Sequence, residues 1–527
     1  MAPRPVSRVD ASGSVAVTPH HLATSAAVEV MTSGGNAVDG AVAANAVLGV
    51  VLPTTCGIGG DLFAMIHIPG ADRPDVLNAS GRGGSGLDPA QLRARGLTEM
   101  PLLAVEAITV PGCMDGWVTL LERHGTRPLA QLLRPAIRLA REGFEVSPEL
   151  SASLARIRGL VAGQASAPPL YPNGAPPAPG DRLTRPRLAD TLTGIGREGR
   201  AAFYEGPVAQ AIADATAGMV TLGDLAADSP DWVEPIGIEV FGRRAWTVPP
   251  NSQGYVTLAA TWILERIGPV ADPDDPAFHH AVIEAYRTVA RERDDLVADP
   301  QRVALPVDRL LDPARLEDLL AGFDPHRAAA LPPPAPMRGG TAYLCAVDGR
   351  GMGVSLIQSN FTGIGSGISA GDTGVFLHNR GAGFTLTPGH ANEAGPGRRP
   401  LHTLAPTLWT RDGSLDLLLG TRGGHQQPQY LLQTVAQLLH AGLPPAEAQT
   451  RPRWEMDHAA SGTESVVRVE ARMPEEVIAG LTARGHVVGL AADWPPGWGP
   501  VSIISIGSGA VHAAADPRVS TATALAG

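Results

Sequence analysis

The chain has 527 residues but is short of those that would place it in several large classes. It holds only three cysteines, Cys56, Cys113 and Cys345, and none has Cys-x-x-Cys spacing. Neither a zinc site nor a disulfide framework is therefore expected, and an odd, small count fits a reducing compartment. Six Tyr and nine Phe are too few for a nucleic-acid stacking platform. No long basic run occurs and the formal net charge is −11, so no phosphate backbone or anionic membrane is an expected partner. The longest apolar stretch, 41–53, is too short to span a bilayer, and the first residues lack an apolar signal core. The expected location is cytoplasmic.

What remains is ample for a folded chain. Hydrophobic residues make up 44% and charged residues 18%, enough to bury a sizeable core. The 62 Gly and 48 Pro predict many tight turns. Apolar periodicity predicts helices over 22–31, 37–51, 114–124, 129–142, 188–199, 206–217, 255–267, 278–293 and 427–441. Strand-like runs cover 62–68, 107–110, 245–248, 341–347, 353–358, 415–419, 466–472, 487–490 and 501–506. Residues 163–180 read as a surface loop. Strands and helices without strict alternation predict an α+β fold.

One segment stands apart. Residues 328–336 include three consecutive prolines and cannot form regular helix or strand. This linker runs into Gly340-Thr341 and then directly into a strand. Cleavage before Thr341 would give a first residue with both a hydroxyl and a free α-amine. Such an amine has a pKa of about 7.7–8.0 and can act as a base near neutral pH. A threonine activated by its own amine is an established nucleophile arrangement. A threonine opening an ordinary strand is the simpler reading of the same residues.

An acyl-transfer site also needs donors for an oxyanion. Gly423-Gly424 follow a predicted strand and precede a predicted helix, where backbone N–H groups converge. A helix-entry turn or a phosphate cradle fits the same turn, though the Gly-x-Gly-x-x-Gly spacing is absent there. An α/β-hydrolase elbow is not expected.

Several ordered stretches resemble one family. Gly34-Gly35-Asn36-Ala37-Val38-Asp39, Gly57-Ile58-Gly59-Gly60-Asp61, Val110-Pro111-Gly112, Arg141-Glu142-Gly143-Phe144 and Pro249-Pro250-Asn251 are similar to landmarks of the gamma-glutamyltransferase family. So are Thr341 to Asp348, the glycines of 365–374, and Gly420 with Gly423-Gly424. The resemblance implies an N-terminal-nucleophile hydrolase with a four-layer αββα sandwich. It implies a precursor cut into a large subunit, 1–340, and a small subunit, 341–527, with a dimer of such pairs as a further expectation. Thr341 would be the nucleophile, Ser359 would hydrogen-bond its amine, and Gly423 and Gly424 would form the oxyanion hole. No metal or organic cofactor is implied.

The departures bear on substrate. Family members acting on glutathione hold the glutamyl carboxylate through an arginine in Arg-Glu-x-Ala-Pro, whereas this chain has Ser80-Gly81-Arg82. Positions binding the α-amine are matched by Phe361, Arg380 and Gly383, and a Ser-Ser pair by His402-Thr403. These replacements resemble an amidohydrolase-like branch, with Asn379-Arg380-Gly381, Pro400-Leu401-His402-Thr403-Leu404 and Gly420-Thr421-Arg422-Gly423-Gly424. Arg82, Phe361, Arg380, His402, Thr403, Arg422 and His425 are the candidate substrate residues. Three arginines would suit a small anionic amide, unless structural acids pair with them. The alternatives are a C–C or acyl-bond hydrolase of natural-product biosynthesis, a gamma-glutamyl hydrolase or transferase, and a non-catalytic binding protein on the same fold.

Overall fold

A computed structural model describes residues 4–330, 339–458, 465–495, 497–507 and 509–527. The stretch 331–338, which holds most of the proline-rich linker, lies outside the described residues. The fold is α+β. Two seven-stranded sheets dominate it. In one, the strands run in the order Arg8–Ala11, Ala510–Ala515, Val501–Gly507, Ser414–Thr421, Thr407–Arg411, Arg243–Thr247 and Ile236–Val240. In the other, the order is Thr523–Ala526, Val15–Thr18, Gly340–Val347, Gly353–Phe361, Asp61–His67, Asp75–Ala79 and Asp231–Val233. Every neighbouring pair in both sheets is antiparallel.

Side-chain alternation explains why both sheets are buried. Along Gly340–Val347, Ala342, Leu344 and Ala346 join a core shared with helices, among them His21–Thr32, Ala37–Val51 and Cys113–His124. Tyr343, Cys345 and Val347 point the other way. They pack with Trp246, Leu408, Leu418 and Ile504 of the opposite sheet. This period of two is what a strand with apolar contacts on both faces requires. A third core joins Trp409, Leu417 and Ile503 to the helices Tyr255–Ile267, Pro276–Ala290 and Gln427–Val435.

The helix Ala37–Val51 is buried at every residue, as its near-continuous apolar sequence predicts. Its start is fixed by a capping box in which Asn36 and Asp39 satisfy each other's backbone donors. The expected strand at 107–110 is instead a single turn, Val105–Ala107, followed by one isolated bridge between Gly83 and Thr109. The expected helix at 129–142 is broken into Leu129–Leu132 and Arg134–Glu142, because Pro135 suits only a first helical turn. The helix expected to run to 441 ends at Val435 and continues as a π-helical turn, Ala436–His440.

Candidate active site

The strand Gly340–Val347 begins at a bulge. Gly340 pairs with Phe361 and Ala342 with Gln358, so two residues of the partner strand, Ser359 and Asn360, stand opposite the single Thr341. Bulges re-aim a side chain. Here Thr341, 3% exposed, donates through Oγ1 to Ser359 Oγ at 3.2 Å. Ser359 Oγ in turn donates to the Gly340 carbonyl oxygen at 2.6 Å and accepts from Phe361 N at 2.7 Å. The hydroxyl expected as nucleophile and the carbonyl it would attack thus meet on one serine. Phe361 adopts φ 72°, a left-handed conformation that a bulky residue rarely takes.

The backbone just before Thr341 is tightly enclosed. A Cβ on Gly340 would stand 3.1 Å from Thr54 O and 3.2 Å from Thr55 Cα. A Cβ on Gly339 would stand 3.2 Å from Gly424 Cα and 3.4 Å from Gly424 N. The glycine turn therefore lies against the residues that precede Thr341. Gly423 has φ 135° and Gly424 φ 59°, both strained for any residue with a side chain. Gln253 Nε2 clamps this turn by donating to Gly424 O and to Thr403 O, each at 3.0 Å. Asn251 holds the same loop, accepting from His402 N at 2.8 Å and donating to Pro400 O at 2.7 Å. The Pro-Pro-Asn motif is thereby a brace for the site.

Beside Phe361 sits a buried charge cluster. Arg380 is fully buried and its guanidinium lies 3.9 Å from the Phe361 ring centroid. It donates to Thr403 Oγ1 at 3.2 Å, and its Nε is 3.9 Å from Asp61 Oδ2. Its Nε and Nη2 have no hydrogen-bond partner among the described residues. Asp61 accepts from Gly81 N at 3.0 Å and from His402 Nε2 at 3.0 Å, with His378 Nδ1 at 3.4 Å. Its contact with His378 is close enough for charge interaction, but poorly angled for a hydrogen bond.

These groups set one another's charge. Burial alone would raise the Asp61 carboxyl, but the two neighbouring imidazoles outweigh it and hold the acid well below the usual carboxylate range. Burial, with Arg380 nearby, pushes His402 down to about 3 despite Asp61. His402 is therefore neutral, and Leu404 N donates to its Nδ1, leaving Nε2 to donate to Asp61. Burial lowers Arg380 to about 9, opposed by Asp61, so it remains a cation at neutral pH.

The other expected residues divide. Arg82 is taken up by acids: its guanidinium meets Asp228 at 2.8 Å, Asp231 at 2.9 Å and Gln301 at 3.1 Å. Arg399 pairs with the same Asp231. Arg422 lines a narrow cavity of about 10 Å³ with Thr341, Tyr343, Ser502 and Asp516. That volume is about what one water needs, so Thr341 is packed in the uncut chain. His425 is buried at the same turn, and its charge, after that of Arg293, helps to lower Asp294 against burial.

Asp61, His378 and Gln253 are the site residues that sequence reasoning missed. The signal for Asp61 was its place after Gly59-Gly60, and for His378 its place before Asn379-Arg380. Rival nucleophiles of two kinds fall away. The run Gly367-Ile368-Ser369-Ala370-Gly371 has the Gly-x-Ser-x-Gly spacing, which sequence reasoning also overlooked. Ser369 Oγ there donates to Gly371 O at 3.0 Å within a turn, with no strand-to-helix elbow. Burial raises the thiols of all three cysteines, Cys56 to about 12, so none is a ready thiolate. Among the described residues no helix is long and apolar enough to cross a membrane.

Residues 23–526 match the gamma-glutamyltranspeptidase family. The chain is 34% identical over 510 residues to the glutathione hydrolase-like YwrD proenzyme of Bacillus subtilis, covering 95% of this chain and 96% of that one. It is 33% identical over 527 residues to the oxamate amidohydrolase proenzyme of Klebsiella pneumoniae, covering 97% and 98%. Among solved structures, a cephalosporin acylase from Bacillus halodurans aligns over 100% of this chain and 98% of its own. Its TM-score is 0.91 and its identity 32%.

Proposed function

The chain belongs to the gamma-glutamyltranspeptidase family of hydrolases, and we propose that it is an autoprocessed threonine amidohydrolase acting on a small anionic amide. The observation that carries this reading is the hydrogen-bond chain Thr341–Ser359–Gly340 carbonyl. Thr341 Oγ1 attacks the Gly340 carbonyl carbon, and its proton passes by way of Ser359 to the departing Thr341 nitrogen. The C–N bond breaks, an ester joins Gly340 to Thr341, and water hydrolyses it. The products are a large chain, 1–340, and a small chain, 341–527, held together in a four-layer αββα sandwich. The three apolar cores, one between the sheets and one on each outer side, support that arrangement.

In turnover the free α-amine of Thr341 takes the hydroxyl proton while Oγ1 attacks the substrate amide. N–H groups of Gly423 and Gly424 receive the oxyanion, and loss of one such donor costs about 10²–10³ in rate. The nitrogen leaves with a proton, and water releases the acid. Arg380 supplies the anion preference: a buried cation with two open donors favours a carboxylate near the scissile carbonyl. Arg422 and His425 flank the same turn, while Thr403 holds Arg380 and His402 holds the Asp61 that faces it, rather than touch substrate. Arg82 is left out of the substrate set because its donors are engaged. The names of the oxamate amidohydrolase and acylase relatives support amide cleavage. We place the enzyme in the cytoplasm, and the paired chains associate further as a dimer.

Intact mass under denaturing conditions tests the first half. Two fragments meeting at Gly340-Thr341 are expected from the native chain, and a single chain from Thr341→Ala. The second half is tested by release of ammonia from amides with a carboxylate next to the carbonyl, compared with a γ-glutamyl anilide. A native chain that stays whole for days overturns the hydrolase mechanism.

A further inference from the structure

Far from Thr341 in sequence, three buried ligand-type side chains converge. His280 and Glu284 lie one turn apart on the helix Pro276–Ala290, and His486 follows the helix Glu475–Ala483. They are 1%, 4% and 5% exposed. His280 Nδ1 is 2.8 Å from His486 Nε2, and His486 Nε2 is 4.0 Å from Glu284 Oε1. One ligand atom from each residue lies within 4.8 Å of the other two. We propose that His280, Glu284 and His486 bind one divalent transition-metal ion, with zinc the best chemical match.

The donor set is two imidazoles and a carboxylate, a combination that suits zinc and leaves a fourth position for water. Buried imidazoles must be neutral to ligate. The outer contacts also fit. His280 Nε2 donates to Asp324 O at 2.8 Å, which fixes its tautomer and leaves Nδ1 bare toward His486. Arg287 donates to Glu284 Oε1 at 2.9 Å and Ala329 N to Oε2 at 3.0 Å, which orient the carboxylate. Without metal, one proton lies between Nδ1 of His280 and Nε2 of His486. With metal, that proton shifts to His486 Nδ1, so no net proton is released. Two nitrogens about 2.0–2.1 Å from a tetrahedral ion stand roughly 3.3 Å apart, so the pair opens slightly and Glu284 closes in.

The position gives the ion a purpose. His280 and Glu284 precede the Gly340–Thr341 bond and His486 follows it. The same cluster anchors the segment leading to the linker, through Asp324 O, Ala329 N and a 2.7 Å bond from Ala328 N to Arg484 O. The ion would tie the two halves at the root of that segment. This tying role rests on the cleavage proposed above, whereas metal binding itself does not.

Untagged protein, stripped with chelator, is titrated with zinc chloride and, separately, with cobalt chloride. The native chain is expected to bind about one equivalent, to give the visible absorption of tetrahedral cobalt, and to melt at higher temperature with metal than without. Glu284→Gln should weaken binding at least tenfold, and His486→Ala should abolish it. Both variants are first checked for native-like melting without metal. Uncut Thr341→Ala should bind as the native chain does, which separates failure of cleavage from failure of the site. No stoichiometric binding by the native chain, or undiminished binding by a folded His486→Ala, overturns the proposal.

Discussion

Ser359 Oγ donates a 2.6 Å hydrogen bond to the carbonyl oxygen of Gly340, and the same oxygen atom accepts the hydroxyl proton of Thr341. One small side chain therefore touches both the hydroxyl proposed to attack and the carbonyl proposed to be attacked. Ser359→Ala leaves the Thr341 hydroxyl and the Gly340 carbonyl without their shared partner. We expect the rate of fragment appearance to fall at least tenfold, followed by gel band intensities over hours. Ser359→Thr, which restores a hydroxyl, should recover most of the rate.

Arg380 is predicted to govern affinity for the anionic end of the substrate. A charge-assisted hydrogen bond contributes about 1.5–3 kcal/mol. Arg380→Met should lower kcat/KM on carboxylate-bearing amides by about 10–100-fold. Activity on a neutral amide of the same size should change far less. Equal losses on both would reassign Arg380 to a purely structural role.

Asp61 is the fixed counter-charge of the cluster. Asp61→Asn leaves Arg380 buried with no anion near it and His402 with a poorer partner. Removing one member of a buried pair typically costs about 3–5 kcal/mol. Denaturant unfolding should show a loss of this order. The double variant Asp61→Asn with Arg380→Met should lose less than the sum of the two single losses.

Acid should unfold the protein steeply. His20, His402 and His486 are pushed down to about 3 and His279 to about 4, in each case first by burial. Each is neutral in the fold, while the unfolded chain begins to protonate below its ordinary value near 6.5. Below that pH the unfolded state binds more protons, so stability is complete above about 6.5 and falls toward 3. Each such group adds up to about 1.4 kcal/mol per pH unit to the slope. Melting temperatures measured from pH 7.5 to 4.5 should drop, and a flat profile would contradict the burial of these rings.

The glycine turn tolerates no side chain. A Cβ on Gly423 would stand 2.8 Å from the Tyr430 ring and would force φ 135° on an alanine. Gly423→Ala should cut turnover by 10²-fold or more in protein already processed. The melting point should fall modestly as well.

The parts legible in the sequence were those carried by long periodic runs or dense glycine motifs. The helix Ala37–Val51 and the hairpin from Gly340 to Phe361 follow from near-continuous apolar runs bounded by turn residues, which packing did not override. Short edge strands such as Arg8–Ala11 and Asp231–Val233 were not legible, because three or four residues carry too little periodicity. The helix Pro148–Val161 was missed although Ser147 caps it, since its buried face is only Leu150, Leu154 and Val161. At the site, Thr341 and the two glycines came from local order along the chain, and Ser359 from the family resemblance alone. The Asp61–His378–His402–Arg380 cluster joins residues more than 300 positions apart, and only folding brings them together. Whether Arg82 faced substrate or acids could not be read from Ser80-Gly81-Arg82, because Asp228, which follows the helix Leu222–Ala227, and Asp231, which opens the strand Asp231–Val233, lie far from it along the chain.

The strand Val15–Thr18 lies between Gly340–Val347 and Thr523–Ala526, so under the proposed cleavage a piece of the large chain would be threaded between two pieces of the small one. The sheet holding Thr341 can form only when all three segments come together. Cutting the Gly340–Thr341 bond then makes the fold depend on its own history. An unprocessed chain released from denaturant can retrace its path, while two separated fragments must find each other and interleave before any ladder closes. Processing would thus turn a reversible folding equilibrium into a ratchet, and enzyme lost to denaturation would have to be replaced by new synthesis.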